Sequence, residues 1–349
     1  MTLTEKYPHL LSENPDGSLN LFVDHHMLST FRLCEAKFAI EHMQNLRVKG
    51  LRAWSLEFGI WLHSAFERYY KLQQSGALAS SQLEATVPLL TTWSQECMAE
   101  WDAKNMDWFA SSEAGTYNNK KSYTLGGREG ALALLLEYAV FNKDFNKTVI
   151  ATEVGFGRGK EVPLGFVSVE HWGCPEVENY KGSFWNQVHC YLSGRADLVL
   201  QNGAKVGPLD FKTTAYFDGK EHEDFEVHEG ITGYIYAIDK VRPELKCRNG
   251  WIEHISIASP KDGNKRFKQT LITKTEEQLE DYRQRNLRTC SKLLDVLNGS
   301  TPDWNTSVCT NIYHAKCPHH ILHRSPTRDY VHIIANSYEK REAWNPETL

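Results

Sequence analysis

The sequence predicts a mixed α/β fold in which a central mixed β-sheet is flanked by helices. Amphipathic helical periodicity towards both ends, a strand-rich middle built around one clear hairpin, and a large apolar content all point to it. With 349 residues, 41% hydrophobic and 11% aromatic, the chain has enough apolar material for one large domain spanning 1–349, or a domain with insertions.

Each element has its own warrant. Residues 27–43, "MLSTFRLCEAKFAIEHM", place Leu28, Phe31, Cys34 and Phe38 at helical spacing, and Ser29 is the expected cap. Residues 56–72, "LEFGIWLHSAFERYYKL", put Leu62, Phe66, Tyr69 and Tyr70 on one face and His63 with Glu67 on another. Residues 129–141 read as a buried helix. Strand signals follow at 148–157 and at 194–214, where "GRADLVLQNGAKVGPLDFKTT" has hairpin grammar. Two apolar runs flank the Asn202-Gly203 step, a strong turn signal. Between these strand regions, 158–190 is rich in Gly, Pro, Trp and charge and reads as a loop insertion with one short strand. A helix at 229–240, a strand pair within 249–272, a long helix at 275–297 and a Cys/His-rich segment at 303–325 complete the chain.

Composition narrows the function. The formal net charge is −5, from 39 Lys and Arg against 44 Asp and Glu, so any polyanion-binding surface has to be local. The start, "MTLTEKYPHLLSENPDG", has no basic segment followed by an apolar core, and no apolar run approaches the ~18 residues of a membrane span. Neither secretion nor a membrane location is expected, and the expected compartment is the cytoplasm. Eight scattered cysteines do not make a disulfide framework there.

The stretch "GPLDFKTT", 207–214, carries the chemistry. The hairpin puts Asp197 and Asp210 on neighbouring strands, where two carboxylates suit a hard divalent cation such as Mg²⁺ or Mn²⁺. Side chains alternate along a strand, so Asp210 and Lys212 share a face while Phe211 points into the core. A lysine beside a bound metal can orient or deprotonate water and offset charge developing on a phosphoryl group. A lone Asp-x-Lys is usually a solvated charge pair, so the weight rests on its companions.

Taken together these motifs resemble the PD-(D/E)XK phosphodiesterases, in particular the branch with RecB-type nuclease domains and the CRISPR-associated adaptation exonucleases. Asp197 resembles the first acidic position of that family, and Asp210-Phe211-Lys212 its (D/E)XK. The segment "FGIWLHSAFERYY" is similar to the helix whose histidine, here His63, is a further metal ligand. "ITGYIYAI" resembles the helix carrying Gln and Tyr four residues apart, with Tyr236 in the tyrosine place and Thr232 where the glutamine is expected. Glu153 stands where many relatives carry a glutamate one strand earlier. The resemblance runs in order from about 25 to 325. It implies a restriction-endonuclease-like core, a metal held by His63, Asp197, Asp210 and the Phe211 carbonyl, and Lys212, Tyr236 and Thr232 in catalysis.

The resemblance also implies a cofactor. In that branch one N-terminal cysteine and three near the C-terminus hold a [4Fe–4S] cluster stapling the ends. Cys34 resembles the first of these, Cys309 and Cys317 two others, and His323 stands in the place of the last, with His319 and His320 nearby. Three cysteines and one histidine suit a cluster or tetrahedral Zn²⁺ alike. Buried small hydrophobes are the simpler reading for Cys97, Cys174, Cys190, Cys247 and Cys290.

The expected function is a metal-dependent deoxyribonuclease, an exonuclease acting on single- or double-stranded DNA ends in recombination, repair or phage DNA processing. A bacterial or phage-infected cell is the expected setting, with a recombinase or helicase as partner. Candidate backbone contacts are Arg47, Lys49 and Arg52 together with Lys265, Arg266 and Lys268, with Trp54 a candidate to stack on an unpaired base; ordinary solvated turns are an equal reading of the first run and the simpler one of the second. "GFGRGK" at 155–160 lacks the spacing of a phosphate loop. The competing expectation is a protein of the same fold that grips DNA ends or a protein partner and cleaves little; a third is a zinc-stapled module with structural carboxylates.

Overall fold

The computed structural model describes residues 2–50, 54–78, 83–106, 127–142, 147–169, 187–214, 228–257, 266–309 and 317–342. The chain opens with α1 (Leu3–Lys6), β1 (Leu11–Glu13), β2 (Leu19–Val23), α2 (His25–Leu33), α3 (Glu35–Phe38) and β3 (Leu46–Val48). Three helices follow, α4 (Trp54–Gln74), α5 (Leu83–Ala103) and α6 (Gly127–Phe141). Next come β4 (Thr148–Phe156), β5 (Val162–Ser168), β6 (Gln187–Leu192), β7 (Gly194–Asn202) and β8 (Lys205–Thr214). After α7 (Glu229–Val241), β9 (Asn249–Ser256), β10 (Phe267–Thr273) and α8 (Glu276–Leu297), the chain ends in α9 (Thr306–Cys309), α10 (His320–Arg324), α11 (Tyr330–Ser337) and β11 (Tyr338–Lys340). The result is mixed α/β, with mixed sheets flanked by helices. Among the described residues no helix is long and apolar enough to cross a membrane.

Two compact units share this chain. The unit made of 52–154 and 195–275 is built on a five-stranded sheet of order β10-β9-β8-β7-β4. β7 and β8 form the expected antiparallel hairpin, with Asn202 paired to Lys205 across a two-residue turn and Gly203 supplying φ +60°. β8 then runs parallel to β9 from the Leu209–Trp251 pair onward, so Pro208, which has no N–H to donate, sits just before that ladder begins. Gly207 lets the strands close: a Cβ there would lie 1.8 Å from the Asn249 carbonyl oxygen. α4 covers the sheet with an aromatic face. Phe66 stacks on Tyr138 of α6 at 3.8 Å and meets the Phe211 ring at 5.0 Å, and Trp61 packs edge-on to Trp101 of α5 at 4.9 Å.

The unit made of 1–51, 155–194 and 276–349 carries a four-stranded sheet of order β1-β2-β6-β5. β5 and β6 come from the stretch expected to be a loop insertion with one short strand, and residues 170–186 of that stretch lie outside the described residues. α8 packs on β5, where Gly165 lets Leu287 and Arg283 approach. A small sheet joins β3 to β11, and Ile40, Leu46, Leu322 and Tyr338 form a core nearby.

The helix expected over 27–43 is not continuous. It starts at His25, capped by Asp24, whose Oδ1 accepts from the Met27 N–H at 2.6 Å, and Ser29 lies inside it rather than at its start. At Cys34 the backbone turns extended, φ −165° and ψ 112°, before α3 and a π-helical turn at Ala39–Met43. α5 has no counterpart among the expected elements.

Candidate active site

Five groups of the 52–154/195–275 unit lie about the start of the β8–β9 ladder: the pair His63 and Asp197, the pair Lys212 and Asp210, and the Phe211 carbonyl. Asp197 lies one step beyond the last hairpin pair, Leu198–Leu209, and there its Oδ2 accepts the Phe211 N–H at 3.3 Å. From α4, His63 Nδ1 lies 3.3 Å from Asp197 Oδ2, and Nε2 hydrogen-bonds the Phe211 carbonyl at 3.2 Å. Lys212 Nζ sits 2.9 Å from Asp210 Oδ2, as side-chain alternation requires. Phe211 itself points into the aromatic core against Phe66 and Tyr70, so one residue anchors the strand inward and offers its carbonyl outward.

Electrostatics follow from this packing. Burial alone would raise the Asp197 carboxyl, but His63, Lys212 and the Phe211 N–H together hold it below the usual range. Burial would lower His63, but the charge and hydrogen bond of Asp197 together with the Asp210 charge outweigh it, so the imidazole is raised. Lys212 is raised likewise, burial being outweighed by the charge and hydrogen bond of Asp210 together with the Asp197 charge. Two carboxylates, a carbonyl and an imidazole are donor types that suit a hard divalent cation, with oxygen donors dominant, but the donor atoms of His63, Asp197 and Asp210 do not all lie within 4.8 Å of one another.

Glu153 belongs here more firmly than its sequence suggests. It holds a left-handed φ of +52° within β4 and pairs with Arg195, two residues before Asp197 on β7. Burial, opposed by Arg195 and reinforced by Asp197, pushes its carboxyl up to about 7. A non-glycine residue at positive φ inside a strand re-aims its side chain at a local cost. His228 was not foreseen at all. It caps α7, its Nδ1 accepting the Gly230 N–H at 3.1 Å, and burial and the Lys212 charge lower its pKa. On α7, Thr232 is buried, with its hydroxyl donating to the His228 carbonyl at 3.0 Å. Tyr236 is buried beneath the Lys240 ammonium at 5.4 Å.

The expected cofactor residues lie in the other unit. Cys34 is buried, with its Sγ 3.8 Å from the Asp303 carbonyl, and Cys317 is buried, its thiol raised chiefly by that burial. The side chain of Cys309 and all of Cys174 lie outside the described residues. His323 stacks on Trp304 at 4.8 Å, His319 bonds Glu41 at 2.8 Å and Tyr338 at 3.0 Å, and His320 bonds the Cys317 carbonyl at 3.1 Å. Among the described residues the converging group of possible ligands is instead His26, Glu41 and His42. Arg341 Nη2 lies 3.3 Å from His42 Nδ1 and already brings positive charge to that group.

The expected backbone contacts are largely spent elsewhere. Arg47 pairs with Glu339 at 2.6 Å, and Lys49 donates to the carbonyls of Ala335 and Asn336. Arg266 is a buried partner of Glu137 at 2.9 Å, which removes it from any phosphate-contacting surface. Lys268 sits half-buried on β10. Arg52, Lys265 and the side chain of Trp54 lie outside the described residues. "GFGRGK" forms a short turn bridged by Gly157 and Lys160, with Arg158 over the Phe22 ring.

The sequence model of the PD-(D/E)XK nuclease superfamily matches residues 25–321. No curated protein matches the chain. Among solved structures, one titled "Crystal structure of SSO0001" is 14% identical, with 66% of this chain and 79% of that chain covered at a TM-score of 0.28, too low to carry an argument.

Proposed function

The chain belongs to the PD-(D/E)XK nuclease superfamily, and from that premise we propose that it is a metal-dependent DNA phosphodiesterase. The observation that carries the reading is the meeting of His63, Asp197, Asp210, Lys212 and the Phe211 carbonyl in one unit. Asp197, Asp210, His63 and the Phe211 carbonyl would hold Mg²⁺ or Mn²⁺. When bound, the ion would supply Lewis acidity towards a phosphoryl oxygen and a more acidic water. Lys212, steadied by Asp210, would orient the attacking water and offset charge on the phosphoryl oxygens. Tyr236 and Thr232 would help to place Lys212 or the phosphate. Glu153 and Arg195 would fix the Asp197 side of the site.

Action on DNA ends as an exonuclease, in recombination, repair or phage DNA processing beside a recombinase or helicase, is the finer proposal and rests on family-level resemblance. A [4Fe–4S] cluster or Zn²⁺ on Cys34, Cys309, Cys317 and His323 is a proposal of the same standing. The burial of both Cys34 and Cys317 in the same unit is compatible with it, and the stacking of His323 on Trp304 counts against that fourth ligand.

A second reading, a nuclease-fold protein that binds DNA ends or a partner and cleaves little, is favoured by one observation: the Thr232 hydroxyl is spent on its own helix. The deciding experiment incubates end-labelled linear and circular DNA, single and double stranded, with Mn²⁺, Mg²⁺ or EDTA. Metal-dependent loss of linear label with circles intact supports an exonuclease. Intact substrates under every condition favour the binding reading.

A further inference from the structure

In the unit made of 1–51, 155–194 and 276–349, a cleft of about 570 Å³ lies between the end of α2 and one side of α8. Arg32 lines it from α2, and Arg285, Arg288 and Lys292 line it from α8. The last three recur at spacings of three and four, so they form one stripe on the helix, and all three are exposed. The stripe borders the buried face of α8, which includes Tyr282, Asn286, Thr289 and Leu293.

Arg32 fixes one end of this arrangement. Its guanidinium donates to Asn286 Oδ1 at 2.9 Å and Thr289 Oγ1 at 3.3 Å, both neutral acceptors on α8. Burial and the positive charge of Arg285 pull its pKa below the usual guanidinium value, so cations crowd one another here. The acidic residues of the cleft are Glu35 and Asp303, and the Glu35 carboxylate already accepts the Asp303 N–H at 3.1 Å. In a chain of net charge −5, this is a local reversal of sign of the kind a polyanion would meet.

The spacing selects the polyanion. Seven residues of helix from Arg285 to Lys292 span roughly 10 Å at ~1.5 Å per residue. One DNA strand rises about 3.4 Å along the duplex axis per phosphate while winding around it, so the long side chains of the stripe reach about two to three successive phosphates. We propose that this cleft docks the DNA backbone, with Arg285, Arg288 and Lys292 meeting consecutive phosphates and Arg32 at one end. The inference rests on the reading of the chain as a DNA phosphodiesterase and adds a contact surface remote in sequence from the metal ligands.

The test is fluorescence anisotropy of labelled single-stranded and duplex oligonucleotides with the full chain in EDTA, over a series of salt concentrations. The comparison is wild type against the combined Arg285→Gln, Arg288→Gln, Lys292→Gln variant, with folding checked by thermal melting. At ~0.7 to 0.9 in the slope of log affinity against log salt per phosphate contact, the combined variant is expected to lose about 2 to 3 in slope. The three single variants, each expected to lose about one contact, keep the test readable if the combined variant does not fold. An unchanged slope, no DNA binding by wild type, or competition by inorganic phosphate alone as effective as by DNA would overturn the proposal. Cleavage measured separately with Mn²⁺ keeps the two readings apart. A flattened slope without cleavage retains the cleft and removes the nuclease; cleavage with an unchanged slope does the reverse.

Discussion

His63 and Asp197 meet at 3.3 Å, one from α4 and the other from β7, at the step where the hairpin ladder gives way to side-chain bonding. The imidazole also bonds the Phe211 carbonyl, so one ring ties a helix to two strands. Its position is fixed by the aromatic core beneath: Phe66, one turn along α4, stacks on Tyr138 and meets Phe211. Packing and chemistry are therefore linked through Phe211.

A cation that binds the folded site but not the unfolded chain should stabilise the protein. Mn²⁺ at about a hundred times its dissociation constant is expected to add ~2.7 kcal/mol. In thermal melts the Asp197→Asn and Asp210→Asn variants should lose most of this gain. An equal Mn²⁺ response in wild type and both variants would place the ion elsewhere.

Glu153 sits at φ +52°, where a side chain is tolerated only with strain. Glu153→Gly and Glu153→Ala both remove the partner of Arg195, but only alanine keeps the backbone cost. Denaturant unfolding should find the glycine variant more stable than the alanine variant by about 1 kcal/mol. Activity should fall roughly 10- to 100-fold in both, as expected when support for a metal ligand is lost.

Gly207→Ala should be far worse than its one added methyl suggests. The new Cβ would meet a backbone carbonyl oxygen at 1.8 Å, so β8 and β9 must separate just before the catalytic stretch. A loss of at least ~3 kcal/mol is expected in urea unfolding, at the upper end for single substitutions. Gly203→Ala, with open space around it but φ +60°, should cost only about 1 kcal/mol.

His42 makes acid stability testable. Burial, helped by Arg341, lowers its pKa from 6.5 to about 3. The folded state therefore refuses a proton that the unfolded state accepts, so stability present above pH 6.5 is lost as pH falls towards 3. The slope is at most about 1.4 kcal/mol per pH unit. His42→Gln should show a smaller drop in melting temperature between about pH 7 and pH 5 than wild type. An identical drop would mean the histidine does not titrate as its packing demands.

Local signals made part of this molecule legible. The Asn202-Gly203 turn fixes the hairpin register and therefore puts Asp197 beside Asp210, while strand alternation places Lys212 with Asp210 and Phe211 in the core. Other features depend on tertiary context. α5 carries Pro88 near its start, which masks a helix stabilised by burying Trp93 and Trp101. The π-helical turn and the break at Cys34 interrupt a periodicity that the residues alone continue. β5 and β6 hide in a Gly- and Trp-rich stretch because their pairing is with β2 and with each other. His228 carries no motif, since its place at the site comes from capping α7. Nor does charge reveal its own use: Arg266 is buried against Glu137, whereas Arg285, Arg288 and Lys292 gather with Arg32 only when α2 meets α8.

Single-turnover cleavage of end-labelled linear DNA with Mn²⁺, comparing wild type with Lys212→Gln, tests the central claim most directly. The site described predicts metal-dependent cleavage by wild type and a loss of roughly 10²- to 10⁴-fold in the variant, with its fold retained by circular dichroism. Equal cleavage by both proteins, or none by folded, metal-loaded wild type, would contradict it.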